Sequence, residues 1–294
     1  MQKVSILHLI TAVKNASPFD VNMAYDAGFD KIMPYSNVEL ADVAALTQDA
    51  MFSRSPSGIK REALFFGGRD IYLALMMQNA AKNSMFTPFE ISTMADPSGA
   101  FTTAAAMLAK VVSVVTTLNN QIIVIFGAGA VGSTAAVIAA KNGAIVQMAA
   151  HRNVAAMQTY CDKMYQQFGV SLQVVEANSD ATKNAALYHA DVALCAGPAG
   201  MNILDKSHYD KSLMLKVLAD VNAVEPLGIA GLEVMTDGEP LGNGMVGFGA
   251  LSIGQLKYQT QHSMLRSLID AEKSVHLTHM QAFDVACGLL VQSL

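Results

Sequence analysis

Short apolar runs recur along the second half of the chain and alternate with segments in which apolar residues have helical spacing. The runs cover residues 122–126, 144–150, 171–177, 191–197 and 213–221. Short runs with few polar residues are typical of strands that are buried on both faces of a parallel sheet. Strands that alternate with helices in this way predict a doubly wound α/β domain.

Capping residues mark the ends of the intervening helices. The helix that follows Gly132 has Lys141 in its last turn, and Gly143 is placed to end it in a left-handed conformation. Asn153 and Ser179 precede the next two helical segments and are predicted to be their N-caps.

The first hundred residues show the same alternation of strand-like and helix-like segments, but more weakly. Residues 4–10, 30–35 and 62–68 predict strands, residues 72–84 a helix, and residues 90–99 a strand that ends in a loop. The pattern predicts a second, smaller α/β domain.

Two helices are predicted outside these domain cores. An alanine-rich helix from about 101 to 117 is expected to join the smaller domain to the larger one. Leu256, Leu265, Leu268 and Ile269 recur at roughly helical spacing, so a C-terminal helix is expected to pack back on the body of the protein.

Composition and charge narrow the class of protein. Hydrophobic residues make up 52% of the chain and charged residues 15%, which argues against disorder and favours a packed globule. A length of 294 residues favours two domains. The net charge of -5 gives no electrostatic footprint for nucleic acid, so no nucleic-acid partner is expected.

Cysteine usage and apolar stretches bear on location. Cys161, Cys195 and Cys287 are far apart with no CxxC pair, so we expect neither disulfides nor a metal site, and a reducing cytoplasm fits best. Met1 to Lys3 and the apolar stretch after them have features of a signal peptide, but His8 and the β-branched residues favour a strand. Residues 102–118 have Lys110 at their centre and predict a buried helix, so no membrane association is expected.

A glycine-rich turn follows the first strand of the larger domain. Gly127, Gly129 and Gly132 have the GxGxxG spacing, and Ala130 and Val131 open the next helix. The first glycine permits the tight turn, the second lets the backbone approach a pyrophosphate, and the third lets the helix lie close to the sheet. The helix N-terminus offers N–H groups to the anion. This strand–turn–helix context favours dinucleotide binding over a purely structural turn.

The end of the second strand indicates which dinucleotide is bound. An NAD-selective site normally has Asp or Glu there, whereas this chain has His151 and Arg152. A guanidinium binds a 2′-phosphate that a carboxylate would repel, so the cofactor is predicted to be NADP. The alternative is that Arg152 is a solvated residue at the start of a helix. Ala196 and Gly197, which end the run 191–197, are predicted to line the same cofactor site.

Six glycine-rich or polar segments together resemble a known family. In the same order, they are similar to segments of the bacterial methylene-tetrahydromethanopterin dehydrogenases of one-carbon metabolism. The segments are SPFD (17–20), YDAGFD (25–30), FFGGRD (65–70), DPSGAFTTAAA (96–106), ADVNAVEPLGIAG (219–231) and GFGALSIGQLK (247–257). The chain departs from the family's usual DSNG at Pro97 and Ser98, and from its usual GIGGLK at Gln255, which leaves the preferred pterin carrier open.

The resemblance implies an architecture and a reaction. It implies an α/β fold with a Rossmann-type NADP-binding domain, residues 105–254. This domain is inserted into a smaller α/β pterin-binding domain, residues 1–104 and 255–294, which a C-terminal helix completes. The pterin lies in the cleft between the domains, and the protein is a homo-oligomer, a trimer or a hexamer. Hydride passes from methylene-tetrahydromethanopterin or methylene-tetrahydrofolate to NADP, so no general base, nucleophile or metal is expected.

Candidate substrate residues follow from the resembling segments. Asp20 is predicted to accept hydrogen bonds from the amino-pyrimidinone edge of the pterin, with a loop or capping role as the alternative. Thr102 and Thr103 are predicted to bond substrate or cofactor, or else only to cap the linking helix. Asp96 is placed with them as a substrate-binding residue.

Two further polar residues complete the predicted site. Lys257 matches the family's lysine and is predicted to orient the pterin or to act on the developing cation, with extension to solvent as the alternative. With Asp20 and Thr102 it forms the candidate catalytic set. Asn222 is predicted to bond the nicotinamide carboxamide, with a turn residue as the alternative.

The leading hypothesis is a cytoplasmic, NADP-dependent methylene-tetrahydromethanopterin or methylene-tetrahydrofolate dehydrogenase of formaldehyde oxidation. One alternative is a bifunctional methylene-tetrahydrofolate dehydrogenase and cyclohydrolase. Family analogues of that kind use a Tyr-x-x-x-Lys arrangement, and none of Tyr25, Tyr35 or Tyr72 has a lysine four residues on. The other alternative is a non-catalytic NADP-binding module.

Overall fold

The fold is that of a computed structural model, which describes residues 4–212 and 214–292. The chain divides into two compact units. The first unit is Met1–Thr102 with Tyr258–Val285, and the second unit is Thr103–Lys257 with Ala286–Leu294. Met1 to Lys3, considered above as a leader, and Leu213, at the start of the run 213–221, lie outside the described residues.

Strands and helices alternate along the whole chain. The strands are β1 (Ile6–Ile10), β2 (Lys31–Tyr35), β3 (Glu62–Phe66), β4 (Ser92–Ala95), β5 (Ile122–Phe126), β6 (Ile145–Ala150), β7 (Gln173–Glu176), β8 (Val192–Cys195), β9 (Val217–Asp220), β10 (Asp237–Gly242), β11 (Met245–Phe248) and β12 (His276–Leu277). The helices are α1 (Pro18–Asp26), α2 (Val43–Phe52), α3 (Pro56–Ile59), α4 (Ile71–Ser84), α5 (Ala100–Val115), α6 (Ala130–Lys141), α7 (Val154–Phe168), α8 (Asp180–Leu187), α9 (Lys206–Tyr209), α10 (Ala250–Asp270) and α11 (His279–Gln292).

The first unit contains a parallel sheet. Its order over the described residues is β12-β4-β3-β1-β2, and each neighbouring pair is parallel. In the centre, Leu7 of β1 lies opposite Ile32 on one side and Ala63 on the other. Buried residues of the sheet, such as Leu64 and Phe66, pack in one cluster with Met51 of α2 and Met77 of α4.

The second unit contains the larger sheet, in the order β10-β11-β9-β8-β5-β6-β7. All pairs are parallel except the edge hairpin β10–β11, whose two-residue turn is Asn243 and Gly244, both with positive φ. Asn-Gly is the preferred pair for such a turn. Counted from β5, the parallel strands follow the order 3-2-1-4-5-6 of a doubly wound dinucleotide-binding sheet. This order confirms the α/β doubly wound fold predicted from the pattern.

Predicted helix ends agree with the structure in several places. Asn153 caps α7 by accepting from Ala156 N–H, and Ser179 caps α8 by accepting from Thr182 N–H. Gly143 follows α6 with φ of +84°. Helix caps depend only on residues that are close together in the sequence, so they can be predicted from the sequence.

Other elements differ from the expectation. Neither α1 nor α2 was predicted, and two helices, α10 and α11, occupy the C-terminal region in place of one. Helix α10 already begins at Ala250, so most of the glycine-rich segment 247–257 is helical. Lys257 therefore lies two turns inside the helix.

Helix α5 is a core helix of the protein. The segment Pro97–Val115 is long and apolar enough to cross a membrane, but 67% of that window is buried inside the protein. Lys110, in the middle of the helix, is also buried, and its Nζ lies 2.5 Å from Asp237 Oδ1. Ser252 Oγ donates to the same carboxylate oxygen, and the ammonium lies 5.5 Å from the centroid of the Phe248 ring.

The Lys110–Asp237 pair sets an expected pH dependence of stability. Burial alone would raise the pKa of Asp237, but the hydrogen bonds from Lys110 and Ser252 and the charge of Lys110 hold it below its usual value. A depressed carboxyl pKa contributes stability above the unfolded-state pKa, and this is lost as the pH falls through the folded-state pKa.

We expect Lys110→Met to lower the free energy of unfolding by about 1 kcal/mol at pH 7, since Asp237 is half exposed and screened. The difference from the wild type should shrink as the pH falls below about 4. Asp237→Asn should cost more, about 3 kcal/mol, because it leaves the buried ammonium unpaired. Urea unfolding at pH 7 and pH 3 measures both; a loss that is equal at the two pH values would contradict the role of the ion pair.

Candidate functional site

The turn between β5 and α6 brings backbone segments into close contact. Gly127 has φ of +116°, and a Cβ atom there would overlap the carbonyl group of Ala196 at the end of β8. A Cβ atom on Gly132 would overlap the carbonyl oxygen of Gly127. Both positions therefore require glycine for the packing of the protein itself.

Gly129 is different from these two glycines. It is the N-cap residue of α6, has an ordinary φ of -76°, and a Cβ atom there would meet nothing within 4 Å. As a glycine, the N-cap residue has no side chain to cap the helix, and Ala130 and Val131 occupy its first turn. The first N–H groups of a helix have no partner within it and carry its positive dipole end. The open space at Gly129 thus faces groups that suit an anion.

A cavity of about 550 Å³ lies beside this turn. It is formed by residues that follow the carboxyl ends of β5, β6, β7 and β8, where doubly wound sheets bind their ligands. The lining residues are Phe126, Gly127, Ala128, Gly129, Ala149, His151, Met157, Ala177, Lys183, Ala196, Gly197, Pro198, Met201, Asn202 and Ile203. We call it the nucleotide pocket.

The structure brings five of the predicted cofactor residues together in this pocket: Gly127, Gly129, His151, Ala196 and Gly197. The other five, which are Ala130, Val131, Gly132, Arg152 and Asn222, are not among the lining residues. Arg152 is exposed and directly follows the lining residue His151. The assignment of these residues to a cofactor stays a prediction.

Lys183 is a pocket residue that sequence reasoning missed. It lies on α8, lines the pocket, and donates from Nζ to the carbonyl oxygen of Ile203 at 2.7 Å. It therefore places a positive charge in a largely apolar cavity. Its helix was expected, but a lysine on an amphipathic helix gives no local signal that it faces a ligand.

Asn222 has its amide engaged with the backbone. Its Oδ1 accepts from the N–H groups of Gly200 and Val224, at 3.2 and 2.9 Å, and its Nδ2 donates to Pro226 O at 3.0 Å. The side chain is buried. Asn222 is thus connected to the pocket through the segment that contains Gly200.

In the first unit, three of the singled-out segments meet at the carboxyl ends of the strands. Asp20, in the first turn of α1, is 3% exposed and accepts from Gln261 Nε2 at 3.2 Å. Its Oδ2 is also close to Gly67, in the turn after β3. Ser98 Oγ donates to Gly68 O at 2.8 Å, which brings the segment after β4 to the same turn. The segment 25–30 is different, since Asp30 accepts from Ser5 at the start of β1.

The predicted substrate residues Asp96 and Thr102 are bound to each other. The Thr102 hydroxyl donates to Asp96 Oδ2 at 2.7 Å, and Asp96 Oδ1 accepts from the N–H groups of Phe101 and Thr102. Both side chains are fully buried. The carboxylate therefore satisfies the N-terminus of α5, while Thr103 is the next residue of that helix and is half-buried. Lys257, inside α10, is 9% exposed.

A second cavity of about 440 Å³ lies on the first sheet. Its polar groups mostly pair among themselves: Glu62, which is 2% exposed, is bound by Arg54 at 2.7 Å and by His8 at 3.2 Å. His8 Nδ1 is also hydrogen-bonded to Tyr35 Oη at 3.1 Å. Among the described residues, no cluster of three His, Cys, Asp or Glu side chains that could hold a metal ion occurs.

Comparisons with known proteins agree with this geometry. Residues 18–98 match the family model described as "Methylene-tetrahydromethanopterin dehydrogenase, N-terminal". The chain is 43% identical over 289 residues to the "NAD(P)-dependent methylenetetrahydromethanopterin dehydrogenase" of Methylorubrum extorquens, covering 96% of this chain and 97% of that protein. It is 32% identical over 261 residues to the "Bifunctional protein MdtA" of the same organism, covering 88% and 90%.

A solved structure is similar over the whole chain. Quinate dehydrogenase from Corynebacterium glutamicum, in complex with NAD, covers 99% of both chains with a TM-score of 0.54. The sequence identity is 13%, so this likeness concerns the fold alone.

Gly129→Ala separates a ligand role of the glycine turn from a structural one. We expect it to leave the melting temperature nearly unchanged, because the added methyl group meets no protein atom. The methyl group enters the pocket, so affinity for ADP-ribose, used as a diphosphate probe, should fall by about tenfold or more. Calorimetric titration and a thermal melt measure the two effects.

Two matched glycine variants complete this experiment. Gly132→Ala should lose stability by about 1–3 kcal/mol, since its Cβ overlaps the Gly127 carbonyl. Gly288→Ala, in α11, has open space around it and should leave ADP-ribose affinity unchanged. Unaltered ADP-ribose affinity in Gly129→Ala would show that the turn is structural only.

Proposed function

Because this chain belongs to the methylene-tetrahydromethanopterin dehydrogenase family, we propose that it transfers hydride from methylene-tetrahydromethanopterin, or from methylene-tetrahydrofolate, to NADP. The reaction gives the methenyl pterin in the oxidation of C1 units at the level of formaldehyde. The observation that carries the proposal is the nucleotide pocket. It lies at the carboxyl ends of a doubly wound sheet, in a chain that matches an NAD(P)-dependent relative almost from end to end.

The pocket residues suit a dinucleotide. The space beside Gly129 is a cradle that a Cβ atom would fill, next to the N-terminus of α6, and it fits a pyrophosphate. Apolar residues such as Met157 and Ala177 form walls for an adenine ring. His151 and Arg152, at the end of β6, supply donors for a ribose 2′-phosphate, and Lys183 adds a second cation.

The proposed hydride transfer does not require an acid or a base from the protein. Bound NADP supplies the hydride acceptor, and the two pterin nitrogens that flank the donor carbon stabilise the cation that remains. No proton moves in the hydride step. The protein must hold the two reacting carbons about 3–3.5 Å apart and exclude water. Buried, firmly hydrogen-bonded side chains are sufficient for that task.

We assign pterin recognition to polar residues whose positions the structure defines. Asp20 is a buried carboxylate that accepts from Gln261, and a carboxylate is the acceptor that suits the amino-pyrimidinone edge of a pterin. Asp96 and Thr102 fix the turn before α5, so that Thr103 and the neighbouring backbone are held for a ligand. Lys257 is assigned a role near the developing cation, through its effect on the orientation of the pterin.

An assay of the purified protein tests this function. NADPH absorbance should rise when NADP is mixed with methylene-tetrahydromethanopterin or methylene-tetrahydrofolate. Comparison of kcat/KM for the two substrates identifies the pterin carrier. Hydrolysis of the methenyl product, followed in the same cuvette, would instead favour the bifunctional dehydrogenase and cyclohydrolase. Binding of NADPH without turnover on either pterin would leave a non-catalytic binding module and refute the dehydrogenase.

Arg152→Ala tests the choice of cofactor. We expect the KM for NADP to rise by about tenfold or more, because a charge-assisted contact with the 2′-phosphate is lost, while the KM for NAD stays within about twofold. Lys163→Ala, which removes an exposed cation from α7, is the matched control and should change neither constant. If Arg152→Ala changes both KM values equally, the phosphate is bound by other groups.

A further inference from the structure

One wall of the nucleotide pocket is not part of any helix or strand that supports it. Residues 198–204, which we call the wall segment, follow β8 and contribute Pro198, Met201, Asn202 and Ile203 to the pocket. A loop of this kind needs other contacts to keep one position. The segment that follows β9, residues 221–230, provides them, and we call it the brace.

The backbone of the wall segment is bonded directly to the brace. The N–H groups of Ile203 and Leu204 both donate to Gly228 O, at 2.8 and 2.9 Å. Ala230 N–H donates to Leu204 O at 2.8 Å, so that Leu204 and Ile229 form a short parallel bridge. The position of the wall segment is thus set by the position of the brace.

Asp220 fixes the brace. It is the last residue of β9, is 2% exposed, and accepts from the N–H groups of Asn222 at 2.9 Å and Ile229 at 3.1 Å. Gly228 N–H also bonds to this carboxylate, and a Cβ atom on Gly228 would lie 2.8 Å from both of its oxygens. The carboxylate lies directly against the backbone that binds the wall segment.

Asn222 makes the second connection. Its Oδ1 bonds Gly200 N–H in the wall segment and Val224 N–H in the brace, while its Nδ2 donates to Pro226 O. A third side chain, Asn202, donates from Nδ2 to Leu227 O at 3.1 Å. Side-chain amides therefore attach the wall segment to the brace at two points, Gly200 and Asn202.

The free-energy cost of burying the Asp220 carboxylate indicates that it does more than stabilise the fold. Burial raises the pKa of Asp220, although the hydrogen bonds from Asn222, Ile229 and Gly228 oppose the shift. Burying a carboxylate that is bonded to backbone N–H groups alone costs more free energy than burying an apolar residue. Such groups are retained where a loop has to keep one conformation.

The place of the wall segment in the fold indicates which part of a cofactor it would touch. A doubly wound sheet consists of two mononucleotide-binding halves. The strands β5, β6 and β7 form one half, which follows the glycine turn and carries His151 and Arg152. The wall segment and the brace follow β8 and β9, which belong to the other half.

We propose that Asp220 and Asn222 are positioning residues that hold the wall segment against the nicotinamide half of the bound dinucleotide. This inference rests on the proposed function. It differs from a direct hydrogen bond between Asn222 and the nicotinamide carboxamide, because the side chain acts through the backbone of Gly200. His151 and Arg152, which are assigned to the adenosine half, follow β6 and belong to neither the wall segment nor the brace.

Asn222→Ala tests the inference with whole and half ligands. The variant loses the bonds to Gly200 and Val224, so the affinity for NADPH should fall by about tenfold, as measured by titration. Affinity for adenosine 2′,5′-bisphosphate should stay within about twofold, because that ligand needs only the adenosine half. With a turnover substrate, the KM for NADP should rise and kcat should fall, since a nicotinamide that is less well held reaches the reactive position less often.

Matched variants keep the test decisive. Asn119→Ala removes an exposed asparagine at the opposite end of β5 and should leave both affinities unchanged. Asp220→Asn should repeat the pattern of Asn222→Ala, and if it fails to fold, Asn202→Ala takes its place through the bond to Leu227.

Two results would overturn the inference: equal losses for NADPH and adenosine 2′,5′-bisphosphate, or no loss for either ligand. A wild-type protein that binds NADPH but oxidises neither pterin would refute the proposed function. In that case the ratio of the two affinities would still decide the role of Asn222.

Discussion

The contact between the ends of β5 and β8 is the constraint on which the second unit depends. Gly127 passes so close to the carbonyl of Ala196 that no side chain fits between them, and Gly132 is equally close to Gly127 itself. These contacts aim the N-terminus of α6 at the nucleotide pocket and leave Gly129 facing open space. The pocket is therefore a consequence of backbone packing, and its side chains adjust a shape that the glycines have already set.

Buried carboxylates near both candidate sites have the same role, which is to accept hydrogen bonds that fix neighbouring groups. Asp96 binds the first N–H groups of α5, Asp220 binds the N–H groups of the brace, and Asp20 is bonded to Gln261. Each carboxylate is almost completely buried. Such a carboxylate acts as a fixed hydrogen-bond acceptor and not as a proton carrier, because its hydrogen bonds hold its oxygens in one position.

Much of this structure could be predicted from the sequence, and there are physical reasons why the rest could not. Strands β5 to β9 of the second sheet, the caps Asn153 and Ser179 and the family itself were predicted and are confirmed, since all of them are signalled by consecutive residues. Helix α1 was missed although Ser17 caps it and Pro18 occupies its first position, because residues 17–20 were considered only as a segment of the family and not as the start of a helix. The contacts of Asn222 with Gly200 and of Lys183 with Ile203 join residues about twenty positions apart, and no local pattern contains them.

A hydride transfer explains why residues that fix the backbone would matter more here than residues that titrate. The step neither consumes nor releases a proton at the protein, so a side chain with a tuned pKa would have nothing to exchange. The rate of a hydride-transfer step depends on how often the donor and acceptor carbons approach at the required distance, and therefore on how narrowly each ligand is held. With the cofactor bound as proposed, the glycine turn would fix the pyrophosphate, and the wall segment, attached at several points to the brace, would restrain the dinucleotide at its other end. Loosening either one would reduce the rate without removing a single reactive group.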